Sequence, residues 1–302
     1  MMKKNCSRFL FVILLAFSKG LFAQPFADIL TASYQGFSAD YKAPTDSLHL
    51  KNKTNNIVLN FFLPKEFKNG NMLLVRLNTE TVNSTATPEY AYSYRLSAIS
   101  LPLGFKFAAK NKKWETILIG IPKIASDFQD QLDKHDFQYG GIFLQQYIRS
   151  SKLKIKAGLY YNREAFGNFF VPLVGVDWKI NNRIYLYGIL PTNYRAEFNI
   201  VKNKLYCGLN FKSFTRSFSL SQTYNHDYVR YDEMQVKLFL DFFAYKKILV
   251  FAEAGYSIGK SPLQYKSGTE IQTRFNPVYT PLKSYPIFNV GLAYRVRLDL
   301  EK

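Results

Sequence analysis

Cysteine is nearly absent: two in 302 residues, Cys6 and Cys207. With one of them in the leader described below, no internal disulfide framework forms, and small disulfide-stapled folds are excluded. Long apolar runs are also missing. The longest, Phe9–Phe17, has 9 residues, whereas a membrane-spanning helix needs about 20. Acids are scarce too, 22 Asp and Glu against 40 Lys and Arg, for a net charge of +18. Such a balance raises nucleic acid as a partner, but no basic run of five or six residues occurs. Lys110–Lys113, interrupted by Asn111, is the nearest.

The first residues read as an export signal. Lys3, Lys4 and Arg8 precede the apolar run, and Leu21-Phe22-Ala23 offers a small residue at a cut before Gln24. Cleavage after Ala23 is expected, with residues 1–23 as signal peptide and 24–302 as a single domain. Cys6 lies before the apolar run with no lipobox leading into it, which argues against a lipid anchor. The leader carries Lys3, Lys4, Arg8 and Lys19 and no acid, so the remainder keeps +14, which is +18 less four. Export argues against nucleic acid.

The remaining 47% apolar and 17% aromatic content is spread by alternation, the period of a strand with one apolar and one polar face. Val290, Leu292, Tyr294, Val296, Leu298 and Leu300 alternate with Asn289, Gly291, Ala293, Arg295, Arg297 and Asp299. Similar runs cover 153–162, 204–212 and 250–258. Their length, about 10–12 residues, suits the 9–11 of a tilted membrane strand better than the 5–6 usual in soluble sheets. The predicted class is therefore all-β, a transmembrane antiparallel up-and-down β-barrel of an outer membrane.

Turn chemistry divides the chain into fourteen strands, near 27–39, 54–63, 71–82, 94–108, 114–125, 137–149, 153–163, 170–180, 183–190, 194–202, 204–215, 233–245, 248–260 and 286–299. Twelve would result if the second, third, ninth and tenth merged. Short connections alternate with long ones, except at 191–193 on the outer side and 64–70 on the inner side, as in barrels with both termini in the periplasm. Trp114, Tyr147, Trp178, Tyr185, Tyr194 and Tyr245 fall near strand ends, where rings sit at the membrane–water interface.

From Gly158 the chain reads GLYYNREAFGNFFVPLVGVDWKINNRIYLYGILPTNYRAEF. Phe166-Gly167, Pro172, Gly175, Trp178, Asn181, Gly188 and Leu190-Pro191 resemble a family of Bacteroidota outer-membrane β-barrels of unknown function, best over 140–211. The resemblance implies a Gram-negative outer membrane and this fold, and brings no catalytic or ligand residues. The chain departs from many outer-membrane barrels in ending Leu300-Glu301-Lys302 rather than on an aromatic.

Motifs for chemistry fail on inspection. Gly255-Tyr-Ser-Ile-Gly259-Lys260-Ser261 has three residues between its glycines where a phosphate loop needs four, and Pro262 follows. His49, His135 and His226 fall in predicted loops without ligand spacing. A Ser-His-acid site, as in barrel lipases, has no G-x-S-x-G elbow, and the adjacent pairs His135-Asp136 and His226-Asp227 point apart. No enzyme, catalytic residue, cofactor or metal site is expected.

If Leu, Val and Ile face lipid, then Lys154, Lys156, Asp177, Lys179, Lys237, Asp241, Glu253, Arg295 and Arg297 face the lumen. A lipid-facing Lys or Arg at the midplane costs about 2–4 kcal/mol, which sets this register. Two readings stay open. One is a cation-lined passage for small anionic solutes, in a porin-like channel or transporter. The other is a ladder of cross-strand ion pairs, such as Glu253 with Arg295, in a structural or interaction barrel. A barrel-embedded lipid hydrolase is a third function. Expected surroundings are outer-membrane lipid, lipopolysaccharide and the barrel-assembly machinery. The 261–285 loop, with Pro262, Pro277 and Pro281 and ending before Pro286, is the candidate constriction.

Overall fold

The computed structural model describes residues 25–42, 49–87, 93–259, 263–269 and 283–298. Fourteen antiparallel strands make one closed wall: β1 (Phe26–Lys42), β2 (His49–Glu66), β3 (Met72–Thr87), β4 (Tyr94–Ser100 continuing as Leu103–Ala108), β5 (Trp114–Ser126), β6 (Phe137–Ser150), β7 (Leu153–Glu164), β8 (Gly167–Lys179), β9 (Ile184–Leu190), β10 (Asn193–Val201), β11 (Leu205–Ser219), β12 (Tyr228–Tyr245), β13 (Ile248–Gly259) and β14 (Lys283–Arg297). The two parts of β4 count as one strand because both pair with β3 and β5. Each strand bonds to its sequence neighbours. β14 returns to β1, pairing Phe26 with Arg297 and Phe37 with Ile287. No edge is left open at the seam, as a lipid-embedded sheet requires.

The two ends differ. At the end where β1 starts and β14 finishes, here the terminal end, described turns such as 151–152 and 246–247 are two residues long. Longer connections, such as 127–136 and 220–227, lie at the other, loop end. The expected count of fourteen holds. At the loop end several strands run farther than expected: β2 begins at His49 rather than near 54, and β11 ends at Ser219 rather than near 215. Sequence 50–54 is Leu-Lys-Asn-Lys-Thr. Backbone pairing continues there on a polar wall, and the alternation signal fades.

Side-chain alternation places apolar groups outside. Along β12, Met234, Val236, Leu238, Leu240 and Phe242 are exposed while Gln235, Lys237, Phe239, Asp241 and Phe243 are buried. Leu238 is 66% exposed, Phe170 63% and Phe288 62%. A band of this extent would drive aggregation in water and suits a hydrocarbon surround. Across the apolar band the barrel is inside out relative to a soluble protein: charges such as Lys156, Asp177, Lys237 and Asp241 are buried in the interior.

One sector is shorter. β9 has 7 residues and β10 has 9, so their hairpin, turning at a cis Leu190-Pro191 bond, ends early. Strands approach tightly there. Gly188 has φ +139° and Gly208 φ +153°; a methyl group would sit 2.3 Å from the Asn193 carbonyl oxygen and 1.9 Å from that of Ala196.

The last β10–β11 pair is Asn193 with Lys212. Beyond it β11 has no wall partner on that side, and its end bends across the lumen. Ser219 bonds in parallel to Ser126 of β5, six strands away around the wall. The backbone freed by this departure is satisfied by side chains, as buried peptide groups require. The Ser217 N–H donates to Glu164 Oε2 at 2.8 Å, and the Ser217 carbonyl accepts from Gln138 Nε2 at 3.1 Å.

Leu238→Arg, at mid-strand on the exposed face, is expected to cost about 2–4 kcal/mol if that face meets hydrocarbon. Urea unfolding of vesicle-inserted protein, read by the change in heat-dependent gel mobility, measures it.

Candidate functional site

The interior is built by inward residues of alternating strands. Near the terminal end they form a floor. The Arg295 guanidinium from β14 grips Asp28 of β1 with two bonds, Nε to Oδ1 at 2.6 Å and an NH2 nitrogen to Oδ2 at 2.9 Å. Its third nitrogen bonds Asp241 of β12, which also accepts from Arg195 of β10 at 2.5 Å. Arg297 pairs with Glu197 at 2.7 Å, and the Tyr187 hydroxyl donates to the same carboxylate at 3.3 Å. Phe26 lies beneath, its ring centroid 3.5 Å from the Arg295 guanidinium carbon. Planar, delocalised guanidinium groups suit both the bidentate and the stacked contacts. Strands from opposite sides of the barrel are thus tied together.

Higher up the wall, Lys156 pairs with Asp177 at 2.6 Å and Lys237 with Glu253 at 2.5 Å; at the terminal end, next to Trp114, Glu115 takes both Lys106 and Lys154 at 2.9 and 3.0 Å. Eight of the nine residues read as lumen-facing are buried in these contacts: Lys154, Lys156, Asp177, Lys237, Asp241, Glu253, Arg295 and Arg297. Lys179 is half-buried, with its amine 5.4 Å from the Tyr185 ring centroid. The suggested Glu253–Arg295 pair does not form. Register sets Asn289 opposite Glu253, and Arg295 lies six residues farther along, about 20 Å at strand rise. Glu253 instead takes Lys237, Asn210 and Asn289.

Between floor and mouth lies a chamber of about 700 Å³. Its charged lining comprises eight cations (Arg76, Lys123, Lys156, Arg195, Lys212, Arg216, Lys237, Arg295) against four anions (Asp28, Glu80, Asp177, Glu253). Lys123 is neutralised by Glu164 at 2.6 Å, and Arg216 pairs with Glu80. Arg76 and Lys212 make no salt bridge among the described residues. Their contacts are with rings, Arg76 4.8 Å from the Phe62 centroid and Lys212 5.3 Å from that of Phe214. The carbonyl oxygens of Asn56, Asn210 and Asn289, also lining the chamber, have no hydrogen-bond partner among the described residues.

Sequence reading missed Asp28, Arg76, Glu80, Arg195, Lys212 and Arg216. Arg195, Glu197 and Asn199 alternate with Ala196 and Phe198, and that signal was available; Asp28 lies beside a register shift at the start of β1, which hides its face.

Above the chamber the lumen is filled by an apolar cluster: Val82, Leu96, Ala98, Ala125, Phe218, Leu220, Val229 and Tyr231. The bent end of β11 and the segment 220–227 supply part of this stopper. Most of the 261–285 loop lies outside the described residues; its strand Leu263–Tyr265 pairs with Tyr228–Arg230 of β12.

Of the expected interface aromatics, Trp114, Trp178 and Tyr245 are exposed near the terminal end, with Tyr147 4.8 Å from Trp114, and Tyr194 is half-buried at the short hairpin. Tyr185 is corrected: it is 3% exposed and packs inside with Tyr187 and Phe26. It shares parity on β9 with Tyr187, and two short strands leave little outer surface to anchor. The histidines are also not separate. His135 and His226, distant in sequence, lie with ring centroids 4.5 Å apart.

Closed wall, apolar exterior and charged interior together define a membrane-spanning β-barrel. No family model matches the chain, and no curated protein matches it. Among solved structures it is similar to an outer-membrane channel of Pseudomonas putida F1 (9% identity, 90% of this chain, 96% of that one, TM-score 0.45). It is also similar to the TodX monoaromatic hydrocarbon channel (9%, 90% and 91%, 0.39) and the NanC porin (8%, 88% and 100%, 0.37). The fold assignment rests on the strand pairing itself.

Asp241→Asn removes the carboxylate shared by Arg195 and Arg295. Loss of one partner of a buried pair typically costs 3–5 kcal/mol. A loss of about 3 kcal/mol in urea unfolding is expected, since Arg295 keeps Asp28, against less than about 0.5 for Lys179→Gln.

Proposed function

We propose that this chain is an outer-membrane channel whose chamber favours small anionic solutes. The observation that carries the reading is the chamber's charge. Cations outnumber anions two to one on its wall, and Arg76 and Lys212 make no salt bridge among the described residues. A cleft lined by one sign of charge with low-dielectric walls raises the local concentration of the opposite ion. The unpartnered asparagine oxygens beside them supply hydrogen-bonding capacity for a hydrated solute or its shell. The apolar stopper means that passage requires displacement of the 220–227 segment.

A second reading has its own support. Both ends are packed, the floor by ion pairs and the mouth by apolar side chains. A barrel that stays shut would act through its surface, as a structural or interaction partner.

Planar-bilayer recording under a salt gradient decides. The first reading expects discrete conductance with a reversal potential on the anion side, and a loss of about threefold in anion preference in the Arg76→Ser/Lys212→Gln variant. A cation-selective current overturns it. Silence from protein that shows folded gel mobility favours the second reading.

A further inference from the structure

The loop between β5 and β6 carries an acid at every third position: Asp127, Asp130, Asp133 and Asp136. Two of these hold the segment that crosses the mouth. Asp127 Oδ2 accepts the Ser221 N–H at 3.0 Å, and Asp130 Oδ2 accepts the Gln222 N–H at 2.7 Å.

The third meets histidine. Asp133 Oδ2 lies 3.2 Å from Nδ1 of His135, on its own loop, and 3.4 Å from Nδ1 of His226, on the crossing segment. The candidate ligand atoms of the three residues all lie within 4.8 Å of one another. Donor atoms bound at about 2.1 Å around a tetrahedral ion stand about 3.4 Å apart, close to the two measured separations. The side chains are 38%, 33% and 30% exposed, so solvent reaches the cluster and a fourth coordination position is open.

The carboxylate is held in place. Its Oδ1 accepts the His135 N–H at 2.7 Å, and the Asp133 N–H donates to Asp136 Oδ2 at 2.9 Å, with Asp136 buried. Support behind the ligands is what fixes a site's geometry. Two imidazoles with one carboxylate suit first-row transition ions rather than calcium or magnesium, which take oxygen ligands.

We propose that Asp133, His135 and His226 form a binding site for a divalent transition metal ion at the mouth of the barrel, pinning the crossing segment to the β5–β6 loop. Binding does not depend on whether the barrel conducts.

The test uses untagged, detergent-solubilised full chain, stripped with chelator and dialysed against Zn2+. The expected result is one zinc per chain and a rise in melting temperature, because an ion that binds only the folded state stabilises it. His135→Ala/His226→Ala should abolish both effects while keeping heat-dependent gel mobility. Asp133→Asn should weaken binding at least about tenfold, and His49→Ala should leave it unchanged. If the double variant does not fold, His226→Asn alone, which leaves the β5–β6 loop intact, must weaken binding by the same factor. Wild type without stoichiometric zinc, or zinc retained in the folded histidine variants, overturns the proposal.

Discussion

A closed sheet tolerates no unpaired backbone in its wall, and this barrel contains one hairpin too short to meet that demand. β9 and β10 stop early, so beyond Lys212 the end of β11 has lost a neighbour. Its peptide groups must bond elsewhere, since a buried orphan costs about 1–3 kcal/mol. The end of β11, still paired with β12 as far as Ser219 with Tyr228, bends inward, crosses to β5 at Ser126, and takes Glu164 and Gln138 as substitutes. The stopper, the chamber's upper boundary and the meeting of His135 with His226 all follow from that departure.

The floor solves a different problem. Arginines, aspartates and aromatics from β1, β9, β10, β12 and β14 meet where a wide barrel has no single side chain long enough to fill it. Charge is tolerated because each carboxylate there takes more than one donor: Asp241 from Arg195 and Arg295, Glu197 from Arg297 and Tyr187. The chamber lies between these two closures, and its excess of cations follows from acids being recruited into the floor and the β7 tip, at Asp241, Glu197 and Glu164.

The strands were legible because one physical contrast, lipid outside and polar groups inside, writes itself into every second residue. That contrast gave fourteen strands and the inward side of Lys156, Lys237 and Arg295. It fails where it no longer operates. β2 continues on polar residues past the apolar band, and Tyr185 is aromatic whether it faces in or out. Ion pairing was not readable: Glu253 was assigned Arg295, but partners depend on register, which alternation alone leaves unset. His135 and His226 were separate loop residues by sequence, since their contact depends on β11 leaving the wall.

The seam between first and last strands carries a further implication. Asp28 and Arg295 stand 267 positions apart, yet they form the tightest two-pronged ion pair of the floor. Closure therefore waits for the whole chain to be delivered, and any pause before β14 leaves β1 and β13 as bare edges able to recruit other chains. A charged clasp at the bottom of the seam accepts one alignment only: a slip by one residue turns Arg295 outward into the lipid. Only the register that sets Asp28 opposite Arg295 closes the seam with this ion pair in place.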